Sequence, residues 1–146
     1  MKIVKKSNQI NTFCNNNYKK IGFVPTLGSL HAGHLSLIKK AKKQNEICIV
    51  SIFLNPKQFN NKKDFKKYPK NIKKDLSILK SLNVDFVYLP KTKDIYDQKR
   101  LTKIKLKRKD KVLCAKYRKG HFEGVLDIMD RLVKKIRPKY VFMGLK

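Results

Sequence analysis

Apolar positions recur along the chain in two alternating rhythms. Ile21–Val24, Ile47–Leu54 and Val84–Leu89 are short, continuous apolar runs, the pattern of strands buried on both faces of a parallel sheet. Between them, Gly33–Gln44 and Asn71–Leu82 place apolar residues at helical spacing. Leu35 and Ile38 mark the first of these helices, and Ile72, Leu76 and Leu79 mark the second. Phe122–Ile136 repeats the helical rhythm with Val125, Ile128, Met129, Leu132 and Ile136, and Pro138 ends it. Tyr140–Met143 reads as a last short strand. At the start of the chain, Lys2–Val4 reads as a short strand. Ser7 is placed to cap a short helix that ends near the asparagine turn 15–17. Pro25 is expected to close the strand before it. Residues 55–70 are polar and turn-rich, and residues 91–119 carry the weakest pattern, with only Ile104–Leu106 resembling a strand.

Strand, helix, strand, helix, strand with short connections predicts a parallel sheet with right-handed crossovers. The expected fold is therefore α/β and Rossmann-like, with helices flanking the sheet, as in the mononucleotide-binding half of a doubly wound domain. Residues 1–146 form one domain on length, and no internal repeat divides them.

The net charge of +27 raises the question of a nucleic-acid or membrane partner. The charge is carried almost wholly by lysine, with five arginines, and the lysines run from Lys2 to Lys146 rather than clustering on one element. Planar recognition of bases and phosphates favours arginine, so nucleic acid is not the expected partner. A positive field would still gather anionic substrates. Cys14, Cys48 and Cys114 show no paired metal-ligand spacing, and neither a disulfide framework nor a metal centre is expected; a reducing cytoplasm suits this usage. The longest apolar run is too short to span a membrane, and Met1–Phe13 lacks a signal-peptide core.

In open α/β sheets, ligands sit beyond the carboxyl ends of the strands. Three segments follow predicted strands directly. The first is Pro25-Thr26-Leu27-Gly28-Ser29-Leu30-His31-Ala32-Gly33-His34. Gly28 permits a tight turn, Gly33 permits close approach to the backbone, and the first helical amides offer an anion site. His31 and His34, three residues apart, share a face and would donate to phosphate oxygens. The alternative is a pair of capping histidines. The second segment contains Asn55 and Gln58; an amide there would hold a small hydroxyl- and carboxylate-bearing substrate, whereas an Asn-Pro turn is the plainer reading. The third is Gly144-Leu145-Lys146. Apart from these, Arg118 and His121 precede the last helix, as a carboxylate site or as a basic loop.

These segments resemble a known family. Residues 22–37, with their H-x-G-H core, are similar to the signature of pantothenate synthetases (pantoate–β-alanine ligases), within the wider nucleotidyltransferase-like superfamily. Val50–Phe59, Asp64–Pro69 and Arg118–Val125 match three further blocks in order and spacing. The resemblance implies that ATP and pantoate form pantoyl adenylate with Mg2+ assisting, and that β-alanine then displaces AMP. It implies that Pro25–His34 and Gly144–Lys146 contact ATP, that His34 is the main catalytic residue with His31 assisting, and that Gln58, Asn55, Arg118 and His121 line the pantoate and β-alanine pocket. It also implies a homodimer. Three positions depart from the family: Leu27 stands for a usual Met, Lys119 for Pro and Leu145 for Glu. Family members run to about twice this length. The chain is thus expected to be an N-terminal nucleotide- and pantoate-binding domain, incomplete at its C-terminal end. It is expected to lack the C-terminal lid that excludes water from the adenylate, and its activity is expected to be greatly reduced or lost. The other readings are a different H-x-G-H nucleotidyltransferase and a non-catalytic nucleotide-binding remnant.

Overall fold

The computed structural model describes residues 1–54, 71–96 and 121–143, leaving aside the side chains of Tyr18 and residues 121–126. The predicted Ile104–Leu106 strand lies outside the described residues. In chain order the elements are β1 (Lys2–Val4), α1 (Ser7–Asn17), a 3-10 turn (Tyr18–Lys20), β2 (Ile21–Thr26), α2 (Ala32–Gln44), β3 (Ile47–Ile52), α3 (Ile72–Ser81), β4 (Phe86–Tyr88), α4 (Thr92–Ile95), α5 (His121–Ile136) and β5 (Tyr140–Val141).

The five strands form one sheet in the order β1-β4-β3-β2-β5. All pairs are parallel, with Gly22 beside Cys48, Val50 beside Val87, Ile3 beside Val87 and Phe23 beside Val141. From β2 the chain steps outward through β3 to β4. It then returns to add β5 on the other side of β2. The strand order therefore reverses between β2 and β5, and the carboxyl edge at that switch point is where an open α/β sheet receives a ligand.

Alternation along the buried strands divides the core in two. Ile21, Phe23, Ile49, Phe53 and Tyr88 join Ile10 and Cys14 of α1 and Ile128, Leu132 and Ile136 of α5. Val24, Cys48, Val50, Ile52 and Val87 join Ile38 and Ala41 of α2 and Leu79 of α3. Each face of the sheet is thus covered by its own layer of helices, as a parallel sheet requires.

Several element ends differ from expectation. β2 runs through Pro25, which lies opposite Ser51. The carbonyls of Ile21 and Phe23 accept from Lys139 and Phe142 on the β5 side, while that of Thr26 accepts from Phe53 of the chain leaving β3. Pro25 shares the phase of Ile21 and Phe23, so its missing N–H faces the β5 side, where pairing has already ended at Phe23. The end of α1 at Asn17 agrees with expectation, and there the Asn17 side-chain amide donates to the Phe13 carbonyl (2.9 Å). Its first turn opens at Lys6, whose carbonyl accepts from Ile10 N–H (3.3 Å). The Ser7 hydroxyl, expected as a cap, pairs with the Tyr88 hydroxyl at 2.9 Å. Ile72, expected on the buried face of α3, is exposed at the helix start.

Candidate active site at the carboxyl edge of β2

β2 ends at Thr26, which is buried. Its hydroxyl donates to the Ser51 carbonyl of β3 (2.9 Å) and accepts from Gly28 N–H (3.2 Å). That bond begins a reversal in which Gly28 (φ 84°) and Ser29 (φ 52°) both adopt the left-handed conformation. Glycine tolerates this freely; a serine held there stores roughly 1 kcal/mol or more of strain. A Cβ on Gly28 would also stand 3.3 Å from both Asp75 Oδ2 and Ile52 Cγ2.

The reversal is fixed from the neighbouring helix. Asp75, in the first turn of α3 and only 2% exposed, accepts Ser29 N–H at Oδ2 (2.9 Å) and Leu30 N–H at Oδ1 (3.0 Å). Both carboxylate oxygens thereby receive donors, which a buried anion requires.

His31 is the N-cap of α2. Its Nδ1 accepts Gly33 N–H (3.1 Å), and His34 Nδ1 reaches back to accept His31 N–H (3.2 Å). This is the geometry of a capping box, with imidazoles in place of the usual hydroxyl and carboxamide. The rings lie 4.1 Å apart between centroids and are inclined by 43°. Gly33 leaves room for the cap, since a Cβ there would lie 2.9 Å from His31 Cε1. An imidazole whose Nδ1 accepts a backbone hydrogen bond carries its proton, when neutral, on Nε2. Both rings then hold Nε2–H as a donor, on an exposed His31 and a half-buried His34.

Both rings therefore cap the helix through Nδ1. Of the backbone amides along the turn, those of His31 and Gly33 are taken by the imidazoles and those of Ser29 and Leu30 by Asp75. A hollow of about 510 Å³ beside Lys5, Ser7 and Lys91 follows β1 and β4 and stands apart from the histidines.

Thr26 through His34 are brought together at one turn, with Pro25 in the strand below. Asn55 and Gln58 follow β3, and Gly144, Leu145 and Lys146 follow β5; all five lie outside the described residues, as does Arg118. His121 opens α5, and its side chain is likewise outside the description. Asp75 is the site residue that sequence reasoning misses. A signal is present, since an aspartate three residues after Ile72 and four before Leu79 falls on the apolar stripe of its helix, where an unpaired carboxylate is rarely placed.

A doubly wound parallel sheet with a histidine-bearing strand-to-helix turn beside its switch point defines an α/β domain of the nucleotidyltransferase-like fold. The sequence profile described as Pantoate-beta-alanine ligase matches residues 2–146, and the chain belongs to that family. It is 47% identical over 129 residues to a pantothenate synthetase of Francisella tularensis subsp. novicida, covering 88% of this chain and 49% of the relative. The crystal structure of a pantoate-beta-alanine ligase from Francisella tularensis, complexed with beta-gamma ATP and beta-alanine, superposes with a TM-score of 0.88 at 44% identity. That match covers 97% of this chain and 55% of the other. A pantothenate synthetase from Thermus thermophilus superposes with a TM-score of 0.87 at 30% identity, covering 97% of this chain and 51% of the other. The chain thus spans about half the length of the relatives it matches.

Proposed function

We propose that these residues form the nucleotide- and pantoate-binding part of a ligase that condenses pantoate with β-alanine through a pantoyl adenylate, acting in the cytoplasm as a homodimer. The observation that carries this reading is the histidine pair with two Nε2–H donors at the switch-point edge. Attack of a pantoate carboxylate oxygen on the α-phosphorus of ATP forms the acyl–phosphate bond and breaks the bond to pyrophosphate. Negative charge on the phosphate oxygens shifts as that bond breaks, and fixed donors held by the backbone need no reorganisation to meet it. His34 acts as the principal donor and His31 as its neighbour, with Pro25–Ala32, Gly33 and Gly144–Lys146 along the nucleotide. Gln58, Asn55, Arg118 and His121 hold pantoate and β-alanine. The amine of β-alanine then attacks the acyl carbon, AMP leaves with the bonding electrons, and the amine gives up a proton.

Mg2+ would accompany the nucleotide. Among the described residues no three His, Cys, Asp or Glu side chains gather as metal ligands, and the buried carboxylate of Asp75 is engaged by two amides. A magnesium ion held largely by phosphate oxygens and water suits such a site. Among the described residues no helix is long and apolar enough to cross a membrane.

Relatives of about twice the length have further chain with which to close over the phosphates. We expect the 146 residues alone to adenylate pantoate slowly. The test is exchange of labelled pyrophosphate into ATP with and without pantoate. Pantoate-dependent exchange, lost in His34→Ala with the fold retained, supports the reading. Exchange indifferent to pantoate points to another nucleotidyltransferase, ATP binding without exchange leaves only a nucleotide-binding remnant, and undiminished exchange in His34→Ala removes that residue from the chemistry.

A further inference from the structure

We propose that the Ser51 hydroxyl reads the acyl substrate, by a hydrogen bond to one of that substrate's own hydroxyl groups, on the α1/α5 side of the sheet. The choice of substrate rests on the function proposed above; the unpaired state of the Ser51 hydroxyl does not.

Ser51 is the next-to-last residue of β3 and is 1% exposed. Its Oγ has no hydrogen-bond partner among the described residues. Side chains alternate along a strand, so Ser51 shares the face of Ile49 and Phe53, which belong to the α1/α5 core. Both of these are apolar. On β2 it stands beside Pro25, whose side chain carries no polar atom. On β4 it stands beside Tyr88, whose hydroxyl is bonded to that of Ser7 (2.9 Å). A buried polar group without a partner is costly, and native cores hold few of them. At the carboxyl edge of a parallel sheet, where ligands enter, a ligand supplies the partner.

The backbone of the same residue ties it to the histidine turn. The Ser51 carbonyl accepts the Thr26 hydroxyl (2.9 Å), which in turn accepts Gly28 N–H (3.2 Å) at the start of that turn. The turn leads into α2 and is held by Asp75 of α3, and both helices cover the other side of the sheet. Ser51 thus joins two half-sites across the ends of β2 and β3. Its carbonyl braces the turn assigned to the nucleotide, while its hydroxyl lies in the layer closed by α5, the helix that opens at His121.

The surroundings select a neutral group. A hydroxyl donates and accepts, and so does a substrate hydroxyl, so the two pair in either sense. A carboxylate in the same place would be a buried charge facing one neutral donor in an apolar frame. A hydroxy acid therefore keeps its carboxylate at the phosphorus and gives its hydroxyl to Ser51. A site that pairs with a substrate hydroxyl rejects the analogue lacking it.

The test compares pantoate with tert-butylacetate, which has the same carbon skeleton without the hydroxyls, by calorimetry on the 146-residue chain. The wild type should bind pantoate about tenfold or more tightly than tert-butylacetate. Ser51→Ala should weaken pantoate binding about tenfold and leave tert-butylacetate and ATP binding unchanged. The thermal midpoint of the free protein should stay in place or rise, because the hydroxyl removed has no partner to lose. A hydroxyl serving the fold would behave in the opposite way: a lowered midpoint, or a variant that does not fold, overturns the proposal. Equal weakening of the two acids, or pantoate binding untouched by the substitution, overturns it as well. A wild type that binds ATP but neither acid overturns the proposed function, and with it the ligand named for Ser51; that failure is told apart from the others because it precedes any substitution.

Discussion

Two glycines at the turn are required for different reasons, and their substitutions should behave differently. Gly28→Ala places a Cβ on a residue at φ 84° and brings it to 3.3 Å from Asp75 and Ile52. The expected cost is about 1–3 kcal/mol of global stability, read as a fall in thermal midpoint. Gly33→Ala sits in ordinary helix and should instead displace the His31 ring, freeing Gly33 N–H at a cost of about 1 kcal/mol. Hydrogen exchange should show fraying confined to the first turn of α2. The cysteines give a further prediction at this scale. Burial pushes the thiols of Cys14 and Cys48 from 9.0 up to about 12, with Asp85 adding to the effect at Cys48 and Lys42 opposing it. The folded chain keeps these protons after the unfolded chain has begun to release them. The contribution to stability is whole below pH 9 and is lost as pH rises toward 12. Denaturation midpoints should therefore fall across that window, less steeply in a Cys14→Ala/Cys48→Ala variant. The histidines and glycines of the turn were legible because their residue types are unusual at a strand-to-helix junction. Asp75 escaped because its partners are backbone amides 45 and 46 residues away, which no local pattern records.

Elements were legible wherever burial enforced a period. β3, between two covered faces, shows its continuous apolar run in the sequence, and the stripe Ile128, Leu132, Ile136 marks α5 in the same way. Boundaries were decided by contacts with other elements. β2 passes through Pro25 because pairing with β5 stops at Phe23. The α4–α5 contact depends on Arg131. Its Nε bonds Asp127 (3.0 Å), its Nη1 donates to the Ile95 carbonyl (3.2 Å), and its guanidinium lies 4.6 Å from the Tyr96 ring centre. Arg131→Lys keeps the charge but not the planar fork. A loss of about 1–3 kcal/mol is expected in urea unfolding. Leu132→Ala, emptying a site that is 2% exposed, should cost about 2–5 kcal/mol in the same measurement.

At the scale of the whole molecule, the net charge of +27 acts on encounter rather than on fold. ATP association should slow by about tenfold or more from low to high ionic strength, as stopped-flow mixing would show, with dissociation much less affected. A salt-indifferent association rate would leave the lysines with no part in gathering substrate. The separation of the core into two layers has another consequence. The histidine turn is tied through Asp75 to α3, on the α2/α3 side of the sheet, while α1 and α5 close a core of their own on the opposite side. Substitutions at Ile10, Ile128 or Leu132 should alter how long the protein survives, whereas those at Ile52 or Leu79 should also disturb the histidine turn. In a lineage under drift, the first layer would change freely so long as stability is kept in reserve, while the second would change slowly and in concert with the turn it supports.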